Sequence, residues 1–159
     1  MKSKLALILL VVIFVLSGCG KSEVTNTVTY TEGNYETEIN DLLTVKFEVV
    51  RSWKPDGKTN GLGLELVLSN NLNDITKEDM ISFIRKIADK KDPATITVYA
   101  SKAAYVDAKG NYGEEAQKGH ILSYVKNNSG NGAFQGFNEI RWMQEKGRFE
   151  NLFGETTTL

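Results

Sequence analysis

The stretch Leu62-Gly63-Leu64-Glu65-Leu66-Val67-Leu68-Ser69, with Thr76 to Ala88 and Ala94 to Ala100 after it, decides the fold. Leu62, Leu64, Leu66 and Leu68 recur at every second position, between Gly63, Glu65, Val67 and Ser69. That is the period of a strand with one apolar face. Asn70-Asn71-Leu72-Asn73-Asp74 ends it, and from Thr76 the period changes. Met80, Ile81, Phe83, Ile84, Ile87 and Ala88 recur at helical spacing, which predicts a surface helix with one apolar stripe. Thr76 is the expected N-cap, Glu78 and Asp79 place negative charge on the first turn, and Pro93 stops the segment. Ile96 and Val98 then alternate with Thr95, Thr97 and Tyr99, a second strand over 94–100. If the two strands are parallel in one sheet, the helical crossover between them should be right-handed.

Upstream, Leu43, Val45, Phe47 and Val49 alternate with Thr44, Lys46 and Glu48, which predicts a strand over 42–52. Turn residues at Pro55-Asp56-Gly57 and Asn60-Gly61 would fold it back on the Leu62–Ser69 strand as a hairpin. Downstream, Ser101 to Ala108 reads as a short helix with Ser101 as its cap, and 111–119 as a polar loop. His120 to Lys126 is a strand, Asn127 to Gly132 a loop, and Phe134 to Gln144 a strand paired with 120–126. Leu152 and Phe153 pack in the tail, with a last short strand at Thr156 to Leu159. Strands do not alternate regularly with long helices, so a doubly wound parallel sheet is not expected. The expected class is α+β: a mainly antiparallel sheet of about five strands, one long helix packed on a face, and one short helix.

The N-terminus says where the chain resides. Lys2 and Lys4 are followed by an unbroken apolar run, Leu5 to Leu16. That length suits the hydrophobic region of a signal peptide and falls short of the roughly 20 residues of a membrane-spanning helix. Ser17, Gly18 and Cys19 come next. Leu16-Ser17-Gly18-Cys19 resembles the lipobox of bacterial lipoproteins, a resemblance confined to residues 1–20. It implies cleavage before Cys19 and a diacylglyceryl group on the Cys19 thiol. Two or more acyl chains hold a protein stably on a membrane, where one does not. The resemblance therefore implies a lipid anchor on the extracytoplasmic face of the cell membrane. In a host with two membranes, Gly20 in place of Asp implies the outer membrane. Residues 21 to about 40 are polar and read as a flexible tether, in which Val24, Val28 and Tyr30 offer an alternative short edge strand.

The organisation that follows is a signal peptide over 1–18, a lipidated N-terminus and tether over 19–41, and an α+β domain over 42–159. Cleavage removes 18 of the 159 residues and two of the 19 basic ones, leaving 17 basic against 20 acidic residues. No basic stripe points to nucleic acid. Cys19 is the chain's single cysteine, so internal disulfides, thiolate metal sites and thiol catalysis are excluded. No cofactor and no metal is implied.

Chemistry-bearing residues are few. His120, the single histidine, follows Glu114 and Glu115, and either carboxylate would orient it as a general base. The plainer alternative is a surface histidine at a strand end. The glycines of Ser129 to Gly136 lack phosphate-loop spacing and read as a hairpin loop. The most distinctive segment is Asn138-Glu139-Ile140-Arg141-Trp142. As a strand it puts Asn138, Ile140 and Trp142 on one face and Glu139 and Arg141 on the other. Glu139 and Arg141 either form a structural ion pair over a packed Trp142 or belong to a binding patch. In such a patch Arg141 takes an anionic group, and Phe134, Phe137 and Trp142 supply area. The expected function is a monomeric, non-enzymatic binding or accessory module for a protein or envelope partner. The alternative is a small envelope hydrolase using His120 with nearby carboxylates.

Overall fold

The computed structural model describes residues 26–29, 36–39, 44–55, 60–128 and 135–159. Its centre is a six-stranded mixed sheet of β3 (Phe47–Trp53), β4 (Leu62–Leu68), β5 (Ala94–Tyr99), β6 (His120–Asn127), β7 (Phe137–Trp142) and β8 (Thr156–Thr158), which lie side by side in chain order. The one parallel pair is β4–β5, joined through helix α1 (Lys77–Ile87); all other neighbours in this sheet are antiparallel. Two shorter helices, α2 (Lys102–Lys109) and α3 (Glu114–Gly119), lie between β5 and β6. The class is α+β. The sheet has six strands instead of about five, and the polar loop expected over 111–119 contains α3, so the described residues hold three α-helices instead of two.

A separate two-stranded antiparallel sheet pairs β1 (Asn26–Thr29) with β2 (Glu36–Ile39), inside the segment expected to be a tether. The rest of that segment, residues 1–18 where a signal peptide is expected, Cys19 and Phe134 lie outside the described residues. No helix among the described residues is long and apolar enough to cross a membrane.

The deciding stretch behaves as its period requires. Leu62, Leu64, Leu66 and Leu68 join Ile96, Val98, Leu122, Tyr124, Ile140 and Trp142 in one buried cluster, closed by Met80, Phe83, Ile84 and Ile87 of α1. The α1 start is capped as expected: Thr76 Oγ1 accepts from Asp79 N at 3.1 Å, and Asp79 Oδ2 accepts from Thr76 N at 2.9 Å. That reciprocal pair satisfies two of the free amides at a helix start.

The other face of β4 is buried as well. Val67 packs with Tyr99 and Ala104 of α2, flanked by Val50, Tyr105 and Ala108. Gly63 lies under Trp53, where a Cβ would come within 2.2 Å of the indole. Gly119 lets α3 close on α2, since a Cβ there would stand 2.3 Å from that of Ala104. The sheet thus carries α1 on one face and α2–α3 on part of the other. Two register shifts shape that second face. One lies between Val49 and Arg51 in β3, the other beside Tyr99, which pairs with His120. The first shift turns Arg51 and Trp53 away from the α1 face, which an unbroken alternation through Phe47 and Val49 would have given them.

Candidate functional site

The second sheet face divides into two regions, a polar cluster under α2 and α3 and an open cleft beyond it. In the first, His120 is 8 % exposed. Its ring stacks on Tyr99 with centroids 5.0 Å apart, and Tyr112 meets it edge-on at 5.8 Å. Nδ1 lies 3.2 Å from the Tyr112 hydroxyl, and Nε2 lies 3.2 Å from Ser123 Oγ. Burial, and after it the positive charge of Lys109, pushes the His120 pKa down from 6.5 to about 4, against the opposing pull of Glu65. The ring is therefore neutral at pH 7, with one nitrogen donating and the other accepting.

Glu65 is the buried carboxylate of this region, 4 % exposed. Lys109 Nζ donates to its Oε1, and Arg51 Nη1 stands 4.0 Å from its Oε2. Oε2 has no hydrogen-bond partner among the described residues. Each cation also lies over an aromatic ring: Lys109 Nζ stands 5.7 Å from the Tyr105 ring centroid and Arg51 Cζ stands 5.1 Å from that of Trp53. Tyr99 rises to about 12 through burial and the nearby Glu65 charge, so it stays a neutral phenol.

Glu114 and Glu115 are not part of this cluster. Glu114 forms an i,i+4 ion pair with Lys118 at 2.7 Å, which lowers its own pKa and raises that of Lys118. Both glutamates line a wide, shallow depression of about 720 Å³ with Lys102, Ala103, Val106 and Asp107. The expected orientation of His120 by either carboxylate is not formed; Tyr112 and Ser123 occupy its two nitrogens. The reason is the α3 turn, whose first residues, Glu114 and Glu115, are exposed while its last residue, Gly119, is buried against Ala104 of α2.

The open region is a cleft of about 220 Å³ lined by Ser123, Val125, Phe137, Glu139, Arg141, Gly154 and Thr156. Register explains how it is built. Arg141 sits between Ser123 on β6 and Thr156 on β8, and Glu139 sits between Val125 and Thr158. Arg141 is exposed and Glu139 half-buried, and no ion pair joins either of them to a described residue. The expected structural ion pair between them is absent. Phe137 forms one wall and is 37 % exposed. Trp142 points the other way: it is wholly buried in the α1-side core, with Nε1 donating to Thr157 Oγ1 at 3.1 Å. Of the expected patch, the fold brings Phe137, Glu139 and Arg141 together and assigns Trp142 to the core.

Sequence reasoning passed over Ser123 and Thr156, and it did not place Tyr112 beside His120. Ser123 and Thr156 gave a usable signal, because outward positions on strands flanking Arg141 must neighbour it once pairing is known. Tyr112 gave none, since its place depends on the α2–α3 connection. No group of three or more metal-ligating side chains converges among the described residues. Comparison with protein-family models, with characterised proteins and with solved structures returned no match.

Proposed function

We propose that the protein is a monomeric lipoprotein, anchored through Cys19 on the extracytoplasmic face of the membrane, that binds an envelope partner through its open sheet face. The observation that carries this reading is the cleft beside β7, where an exposed Arg141 and a half-buried Glu139 stand beside Phe137 without ion partners among the described residues. Unpaired charges flanking an aromatic side chain are what a recognition surface retains for its partner. Nucleic acid does not suit a surface of this charge balance. The polar segment after Cys19 serves as the spacer between bilayer and domain.

Two measurements test it. Radiolabelled palmitate fed to producing cells should enter the wild-type chain and be absent from Cys19→Ser. Affinity capture of the lipidated chain from its native membranes should recover one stoichiometric partner, and Arg141→Glu should reduce that recovery at least about tenfold, the scale of one lost charge-assisted contact. Recovery unchanged by Arg141→Glu would move the partner away from the cleft.

A second reading, an envelope hydrolase, draws on one observation: Ser123 Oγ lines the cleft and lies 3.2 Å from His120 Nε2. Serine hydrolysis needs a histidine basic enough to take the hydroxyl proton. A ring whose pKa is pushed to about 4 is a poor base for that step, and its other nitrogen faces a phenol instead of a carboxylate. Binding is the better account.

A further inference from the structure

The two ends of the cleft differ in chemistry. At one end Arg141 is flanked in register by Ser123 and Thr156, which puts a guanidinium and two hydroxyls together. Two residues along the same strand face stands Glu139, with Val125 beside it, and Phe137 lies beyond. The rise of an extended strand sets Glu139 and Arg141 about 7 Å apart at their Cα atoms. From these positions we infer that the cleft is a binding site for a small zwitterion of dipeptide length. Its carboxylate lies against Arg141, Ser123 and Thr156, its ammonium against Glu139, and its apolar side chains against Val125 and Phe137. This inference rests on the cleft being the binding surface proposed above.

Three features favour that class over a simple anion or cation. A lone anion would meet the Glu139 carboxylate within the same cleft, and a lone cation would meet the Arg141 guanidinium; only a ligand with both charges satisfies both. The spacing suits charges separated by a peptide unit better than the adjacent ammonium and carboxylate of a single amino acid. The volume, about 220 Å³, suits a molecule below the size of most pocket ligands. His120 contributes at one remove. In the tautomer where the Tyr112 hydroxyl donates to Nδ1, Nε2–H donates to Ser123 Oγ. The Ser123 hydroxyl hydrogen is then free to point at the ligand carboxylate, and His120 acts as a positioning residue.

Titration calorimetry of the full lipidated chain in detergent tests this with L-alanyl-L-alanine as the probe. The expected result is saturable one-to-one binding. N-acetyl-alanyl-alanine, alanyl-alanine amide and free alanine should each bind at least about tenfold more weakly, as should the dipeptide to Arg141→Gln and to Glu139→Gln. Both residues are outward-facing, so these variants should unfold at the wild-type temperature. Absence of saturable binding at millimolar dipeptide overturns the inference. Equal binding of either blocked dipeptide or of alanine, or binding unchanged in both variants, overturns it too. If the dipeptide fails while Arg141→Glu still abolishes partner capture, the zwitterion site is wrong and the docking surface stands. If the dipeptide binds as described and no partner is captured, the docking reading is the one that falls.

Discussion

Trp142→Ala is expected to destabilise the protein by about 4 kcal/mol, the scale for deleting a large buried aromatic from a core that cannot fully collapse. Trp142 is completely buried. It pairs with Leu122 on β6, and its ring lies 5.3 Å from that of Phe149. The residue also ties the C-terminal segment to the sheet. Its backbone N donates to Glu155 O and its carbonyl accepts from Gly154 N, both at 3.0 Å, while its indole donates to Thr157. Truncation leaves a cavity at the junction of β6, β7 and β8 and strands the half-buried Thr157 hydroxyl. Trp142→Phe separates the two contributions: it keeps most of the ring and loses the hydrogen bond, and should cost about 1–2 kcal/mol. Urea denaturation with unchanged m-values checks both. Against a total stability of about 5–15 kcal/mol, the alanine variant should show a large fall in midpoint. A loss below about 1.5 kcal/mol for Trp142→Ala would mean that the site refills from Phe149 and Leu152, and that the aromatic is not what holds β8.

The alternation of leucines in β4 and the stripe of α1 are strong periodic signals, and the buried α1-side core follows from them directly. The same alternation concealed that β4 is buried on both faces. Gly63, Glu65 and Val67 look like the solvent side of a strand, but Trp53, Lys109 and Tyr99 cover them. Nothing local announces such a cover, because α2 buries a single small residue, Ala104, and so lacks a readable apolar stripe. Helix α3 is too short for any period, and no side chain caps it. The register shifts at Val49/Arg51 and Val98/Tyr99 were equally hidden, since a bulge inserts one residue without changing composition. The candidate cleft was half legible. The face shared by Glu139 and Arg141 follows from strand period alone, and it excludes Trp142 from that face. The hydroxyls beside Arg141 come from β6 and β8, and only the pairing register supplies them. The anchoring role proposed for Cys19 rests on the resemblance of Leu16-Ser17-Gly18-Cys19 to a lipobox and on nothing in the folded domain.

His120 should make the protein lose stability on mild acidification. Its folded pKa is about 4 against 6.5 for an unperturbed imidazole, so between these values the unfolded chain binds a proton that the folded chain does not. Stability then rises with pH across the window: it is fully present above about 6.5 and falls as pH drops toward 4, by about 3 kcal/mol in all. Burial under α2 and α3 is the main cause, and the Lys109 ammonium on α2 adds to it. The Glu65 carboxylate on β4 works in the opposite sense, and the phenols of Tyr99 and Tyr112 are uncharged throughout the window. Carboxylates elsewhere also lose their native interactions near pH 4, so the informative quantity is the difference between wild type and His120→Gln. That variant keeps a polar group and cannot titrate. Urea midpoints from pH 7.5 to 4.5 should converge or cross, with the wild type falling more steeply by roughly 2–3 kcal/mol. Parallel curves would show that the imidazole is already open to water in the native state. Lys109→Ala gives the direction of the second cause. Removing that cation relieves the penalty on the imidazolium, so the acid loss should shrink, although the variant is less stable at every pH because Glu65 has lost its closest partner. Unchanged acid loss in Lys109→Ala would place the ammonium too far from the ring to be felt, and would leave burial as the main cause.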